Sequence, residues 1–199
     1  MSSPWRAAVV AFACALGACD APSGDSAAPA PSSRVEAVAP KAITADPLSG
    51  FCDAHADSGN GRAFHFPPVE GTAPSVGGGG LLWVNLWATW CKPCVEEMPM
   101  IAGWKKDLAT KGKNIDLRFV SVDEDAKAVD AFRAQHPGMP DTMRLASPSA
   151  LAPYIAELGL DSGAGLPIHV FVDKTAHVRC VRAGAVADSH LAIIASMLN

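Results

Sequence analysis

From residue 81 onward, short apolar runs alternate with longer stretches of helical periodicity. Leu81-Leu82-Trp83-Val84-Asn85-Leu86-Trp87 is short, almost wholly apolar and bounded by loop signals, which predicts a buried strand. A helix is predicted from about Pro93, because proline suits a first helical turn, where its missing N–H would have no partner. Cys94, Met98, Ile101 and Leu108 then recur at helical spacing, and Pro99 within them predicts a kink. Residues 115–122 predict a second buried strand, after which Asp123 is positioned to cap a helix with Val129 and Phe132 on its core face. Ser147-Pro148 opens a further helical segment, with Tyr154, Ile155 and Leu158 inward and Gly159 near its end. Residues 168–172 and 177–183 predict two strands, and Asp173-Lys174-Thr175-Ala176 between them is long enough for a hairpin. A last helix is predicted over about 189–198, and a short edge strand over 62–66. The order βαβα followed by ββα predicts an α/β fold, a mixed sheet with helices on both faces.

The N-terminal part has a different character. An apolar run over residues 7–18 follows Arg6; it is too short to span a bilayer, which needs roughly 20 residues, and has the form of a secretory signal. Residues from about 20 to 47 are rich in Ala, Pro and Ser and nearly devoid of large apolar side chains, so they cannot bury enough surface to offset their ordering entropy. The expected organisation is a signal over 1–18, a disordered tether over 19–47 and one folded domain over 48–199. Leu16-Gly17-Ala18-Cys19 resembles the lipobox of bacterial lipoproteins, which implies lipidation of Cys19 as the first mature residue. Asp20 resembles an inner-membrane retention signal. The protein is then lipid-anchored on the periplasmic side of the inner membrane; ordinary cleavage after Ala15 or Ala18 would leave it soluble in the periplasm.

Charge narrows the function classes. The formal net charge is −4, and only Lys105, Lys106, Lys111 and Lys113 cluster, so no nucleic-acid partner is expected. The run Gly77-Gly78-Gly79-Gly80 precedes a strand and lacks the Gly-Lys-Ser/Thr ending of a phosphate-binding loop, which leaves a flexible turn.

Of the 6 cysteines, Cys14 falls in the signal and Cys19 at its end. Cys52, Cys91, Cys94 and Cys180 remain, and an even number in an exported protein permits two disulfides in any of three pairings. A Cys-X-X-Cys that ends a strand and opens a helix is the layout of a dithiol/disulfide redox centre. Pairing Cys91 with Cys94 makes Cys52–Cys180 the default for the others, with two free buried thiols as the alternative. Cys52, His55, Cys91 and Cys94 as a zinc set would consume the redox pair. Covalent haem attachment would need His directly after Cys94, where Val95 stands. No cofactor and no metal are expected.

Trp90-Cys91-Lys92-Pro93-Cys94, with Glu97 and Pro99 after it and Gly165-Leu166-Pro167 before a strand, resembles the thioredoxin superfamily, and within it the membrane-tethered bacterial branch typified by TlpA and ResA. The resemblance covers residues 81–199 and implies a thioredoxin fold. Cys91 at a helix N-terminus is favoured as a thiolate nucleophile by the free N–H groups and the dipole, with a modest addition from Lys92; Cys94, one turn inside, resolves the mixed disulfide. Glu97, three residues on along the same helix face, is the candidate proton acceptor for Cys94, against the alternative of a helix-start acid favoured by the dipole. Thioredoxins proper carry a buried acid where this chain has Asn85, which makes a different acceptor more plausible. The resemblance makes Pro167 a cis-proline beside the dithiol, with the Leu166 backbone and Trp90 as substrate-binding elements, and Trp87 in the core. His169 is expected to be a packed or exposed side chain.

The function that follows is a thiol–disulfide oxidoreductase, in the reductase direction. Its partners by resemblance are client proteins with disulfides in haem or copper sites, as in cytochrome c maturation, and a DsbD/CcdA-like membrane electron donor. A disulfide-donating oxidase is the second enzymatic possibility. A copper metallochaperone using the cysteines as soft ligands is the alternative from another class.

Overall fold

The computed structural model describes residues 46–76 and 80–198. The signal at 1–18, the lipid site Cys19, the tether up to residue 45 and glycines 77–79 of the glycine run lie outside the described residues.

The strands β1 (Ala54–His55), β2 (Leu81–Trp87), β3 (Ile115–Ser121), β4 (Thr142–Arg144), β5 (Ile168–Val172) and β6 (Val178–Ala183) form one sheet in the order β1-β6-β5-β2-β3-β4. β2–β3 and β3–β4 are parallel; β2–β5, β5–β6 and β1–β6 are antiparallel. Helices α1 (Lys92–Thr110), α2 (Ala126–Gln135), α3 (Leu151–Glu157) and α4 (Leu191–Ser196) flank the sheet. β2 is buried at every position, as a strand covered on both faces must be, and Trp83, Trp87, Phe119, Phe171, Ile101 and Ile194 fill the layers against it. The mixed α/β class is as the pattern predicts, and β2 and β5 occupy the predicted residues.

Two local expectations are corrected, and two short strands join the sheet that the pattern did not predict. Asp123 does not cap α2. Asp125 does, accepting from Lys127 N at 2.9 Å, while Asp123 turns inward to bind Thr89 N (3.0 Å), Thr89 Oγ1 (2.7 Å) and Ser121 Oγ (2.7 Å). A carboxylate with three donors within reach is better satisfied there than at a helix end. Residues 62–66 form no strand: Ala63 makes an isolated bridge to His177, and the chain there crosses the end of the β5–β6 hairpin. The sheet edge is β1 instead, with Ala54 opposite Val181 and His55 opposite Cys180. Thr142–Arg144 adds a parallel strand at the other edge, three residues too few to leave an alternation signal.

The N-terminal segment is pinned onto β6. Cys52 is bonded to Cys180, with Cα atoms 5.6 Å apart. Asp53 N donates to Val181 O (2.8 Å), and Ala183 N donates to the Asp53 carboxylate (2.7 Å). Phe51 packs on Phe171 at 5.9 Å between ring centres, under the Arg182 guanidinium at 4.8 Å.

The hairpin turn is organised by Asp173. Its Oδ1 accepts from Thr175 N (2.9 Å), Thr175 Oγ1 (2.6 Å) and His177 N (3.0 Å), and Oδ2 from Gly59 N (2.6 Å) and Ser58 Oγ (3.0 Å). Burial alone would raise its pKa, but the hydrogen bonds from Thr175, Gly59, His177 and Ser58 outweigh it and hold the carboxyl below the usual range. A depressed folded-state pKa stabilises above the unfolded value of about 3.9 and ceases to do so as pH falls through the folded value. Asp173→Ala is therefore expected to cost about 2–3 kcal/mol in urea unfolding at pH 7, with the gap to wild type narrowing as the pH is taken below about 4. A gap independent of pH would show that the charge on Asp173 is immaterial.

Candidate active site

The chain leaves β2 at Trp87, turns through Ala88-Thr89-Trp90 and enters α1 with Cys91 as the N-cap. The turn is fixed by the two Thr89 bonds to Asp123 and by Val122 N donating to Trp87 O at 2.8 Å. Cys91 has extended backbone angles (φ −85°, ψ 92°), and its Sγ accepts from Cys94 N at 3.3 Å. Sulfur thus takes the place that a Ser or Asp oxygen usually holds at a helix start, where the N–H groups and the dipole favour negative charge. Cys91 and Cys94 are bonded, with Cα atoms 5.3 Å apart. They differ in access, Cys91 being 5% exposed and Cys94 0%. Lys92 is exposed and pairs with Glu96 at 3.7 Å, so Glu96 points to solvent. Trp90 beside them is 70% exposed, whereas Trp87 is in the core, its Nε1 donating to Thr142 Oγ1 at 3.0 Å.

Glu97 lies on the buried face of α1 with Cys94, Met98 and Ile101. Asn85 Nδ2 donates to its Oε1 at 2.9 Å, and Val186 N donates to its Oε2 at 2.8 Å. The helix-start-acid alternative fails on this geometry, since Glu97 is turned into the protein and held by two donors. Asn85, at the position where the superfamily resemblance implies an acid, serves instead as the donor that orients one.

The Leu166–Pro167 peptide is cis. Pro167 O accepts from Gly184 N at 2.8 Å, so the segment ahead of β5 is tied to the loop whose Val186 N holds Glu97. A groove of about 610 Å³ opens beside the dithiol turn, lined by Thr89, Trp90, Val122, Glu124, Pro148 and Leu151. Cys52, in its bond to Cys180, is committed away from Cys91 and Cys94, so the zinc set considered above is not assembled. Among the described residues, no group of three or more His, Cys, Asp and Glu is arranged to hold a metal ion.

One neighbour was not legible in the chain. His169, at the centre of β5, is wholly buried, with Nε2 3.4 Å from Glu97 Oε1. Its spacing from Pro167 fixes its strand face. Its nearness to Glu97 depends on β2–β5 register, in which Asn85 pairs with His169 across 84 residues of chain.

No family model matches the chain. Over 49 residues it is 43% identical to the Thioredoxin-like protein YneN of Bacillus subtilis, a match covering 25% of this chain and 29% of that protein, so the chain spans under a third of that relative's length. A thioredoxin-related protein from Neisseria meningitidis serogroup B superposes with a TM-score of 0.51 at 26% identity, over 64% of this chain and 92% of that one. A thioredoxin-family thiol:disulfide interchange protein from Chlorobium tepidum superposes with a TM-score of 0.48 at 22% identity, over 68% and 99% of the two chains. By its sheet order and the likeness to the Neisseria structure, the chain has a thioredoxin-like fold around its Cys91–Cys94 pair and belongs to the thioredoxin superfamily.

Proposed function

We propose that the protein is a disulfide reductase of the periplasm, held at the inner membrane by a lipid on Cys19 and acting on client proteins whose disulfides lie in haem or copper sites. The observation that carries the redox assignment is the unequal pair of sulfurs, one capping a helix and 5% exposed, the other wholly buried on the helix face that also carries the hydrogen-bonded Glu97 carboxylate.

The reduced pair works in two steps. The Cys91 thiolate attacks one sulfur of the client disulfide, forming a Cys91–client bond and expelling the client's other sulfur as a thiolate. Cys94 then passes its proton to Glu97 and its sulfur attacks Cys91 Sγ; the Cys91–Cys94 bond forms, the client bond breaks, and the departing thiolates take protons from solvent. The client gains two electrons and the protein is left in the bonded state described above. Trp90 supplies an apolar docking surface beside a groove whose lining includes Asp123, Glu124 and Asp125, and the Leu166 backbone next to the cis-proline pairs with an extended client segment. An exported dithiol is oxidised unless a donor restores it, and a membrane tether places this one beside a DsbD/CcdA-like donor.

The test is the reduction potential of Cys91–Cys94 in the full chain, together with turnover of insulin disulfides. A value near about −270 mV with turnover supports the reductase, whereas one near about −120 mV reverses the direction of electron flow. Tight Cu(I) binding without any turnover would remove the enzyme assignment in favour of a metallochaperone.

A further inference from the structure

Asn85, His169 and Arg182 are register partners on β2, β5 and β6 and form a polar row across one face of the sheet, which Glu97 closes from α1. Such a row is costly to bury unless its members satisfy one another. Most do. Arg182 donates to Phe51 O (2.8 Å) and Ala185 O (3.3 Å), and Asn85 Nδ2 lies between Glu97 Oε1 (2.9 Å) and His169 Nδ1 (3.2 Å). His169 Nδ1 also accepts from Trp83 Nε1 at 3.2 Å. An indole N–H only donates, so Nδ1 carries the lone pair and the imidazole proton is assigned to Nε2. That N–H is wholly buried and has no hydrogen-bond partner, yet it faces Glu97 Oε1 at 3.4 Å.

A buried N–H left unmade is costly, and a leucine or valine would fill β5 without that cost. We propose that His169 is a positioning residue for Glu97: its Nε2–H is the donor that holds Oε1 when the carboxylate serves as base for Cys94. Trp83 and Asn85 lock the ring in one tautomer, so it stays a donor and is not itself the proton acceptor. The ionisable groups around it are Glu97 from α1, Arg182 from β6 and His190 from the 3-10 helix Asp188–His190; burial first and the charge of Arg182 next keep His190 below its usual pKa. The inference rests on the role of Glu97 in the proposed function.

Two substitutions separate the donor from the packing. Asparagine places an acceptor near the position of Nδ1 and lacks the Nε2–H; glutamine places an N–H near the position of Nε2. In the full chain, His169→Asn is expected to slow release of the client from the Cys91 mixed disulfide about tenfold, less than the ~10²–10⁴ attributable to a general base itself. The pH of half-maximal rate is expected to rise by about one unit, since a carboxylate that loses a donor is protonated more readily. His169→Gln is expected to recover most of both effects. Thermal melts of each variant monitor folding. The ¹³C titration of the Glu97 carboxyl provides a readout independent of turnover: its midpoint is expected to rise in His169→Asn and not in His169→Gln. If wild type shows no reductase activity but the carboxyl midpoint moves as stated, the functional assignment fails and the positioning role stands. If wild type turns over and neither the rate profile nor the midpoint responds to His169→Asn, or both variants lose activity in step with their melting temperatures, His169 is a packing residue and the proposal is overturned.

Discussion

Cys91→Ser in the full chain reduces disulfide turnover to the uncatalysed background, while Cys94→Ser stops after one chemical step and accumulates a covalent complex with the client. The asymmetry follows from position. Cys91 alone combines a helix N-terminus with access to the surface, so a serine there removes the nucleophile that opens the client disulfide. Serine retains the cap, because its oxygen accepts from the N–H of residue 94 as the sulfur does, so the loss is chemical and the melting temperature changes little beyond that of the missing Cys91–Cys94 bond. Cys94 is sealed beneath the helix and cannot meet a client; its work is intramolecular, against a sulfur already in its own turn. Without it the mixed disulfide has no resolving thiol and persists until an external reductant arrives. Non-reducing gel electrophoresis of Cys94→Ser with oxidised insulin, followed by mass spectrometry of the shifted band, reads the outcome. A trapped complex with Cys91→Ser instead would reverse the two roles.

The second large effect concerns the other disulfide. Replacing Cys52 and Cys180 together by alanine is expected to lower the stability of the folded domain by up to about 4–5 kcal/mol, the loop-entropy value for a closure of this length, since the bonded residues are 128 apart in sequence. Against a typical total of about 5–15 kcal/mol, that leaves a marginal domain at growth temperature. The loss is concentrated at the β6 edge, where β1, Phe51, the Asp53 pairings and the bonds from Ala56, Ser58 and Gly59 to β6 and the hairpin turn then hold the N-terminal segment. The dithiol turn lies across the sheet on β2 and α1, so the folded fraction keeps its insulin activity. Urea midpoints of the double variant against wild type, each with Cys91–Cys94 oxidised, measure the effect, and a difference under about 1 kcal/mol would mean that β1 pairing suffices without the bond.

These expectations draw unequally on the chain and on the fold. β2 and β5 were legible because each is a short, mostly apolar run between loop signals, interrupted only by Asn85 in one and His169 in the other. The head of α1 was legible because Pro93, the cysteine spacing and the helical recurrence of Cys94, Met98, Ile101 and Leu108 lie in adjacent residues. Gly159 marked the end of α3 for a similarly local reason, adopting φ +85°, which costs glycine little. Misreadings came where two polar side chains competed for one task. Asp123 and Asp125 both stand before α2, and the donors of Thr89 across the turn and of Ser121 draw Asp123 inward. The strand placed at residues 62–66 is reduced to one bridge, Ala63 to His177, because the segment meets only the hairpin end of β6, while β1 pairs farther along it.

Neighbouring residues thus establish the chemistry of this protein, a Cys-X-X-Cys pair at a strand-to-helix junction, because backbone conformation and the accessibility of a helix end are local properties. They cannot establish what lies beneath that pair. Glu97, Asn85 and His169 come from three elements, and their meeting depends on the pairing of β2 with β5 and on the depth at which α1 sits on the sheet. A one-residue slip in that register would send His169 to the opposite face and leave Glu97 a different set of donors. Strand register and helix depth are settled by packing of the whole core, so the proton-handling half of the site belongs to the tertiary structure, and the sulfur half to the sequence.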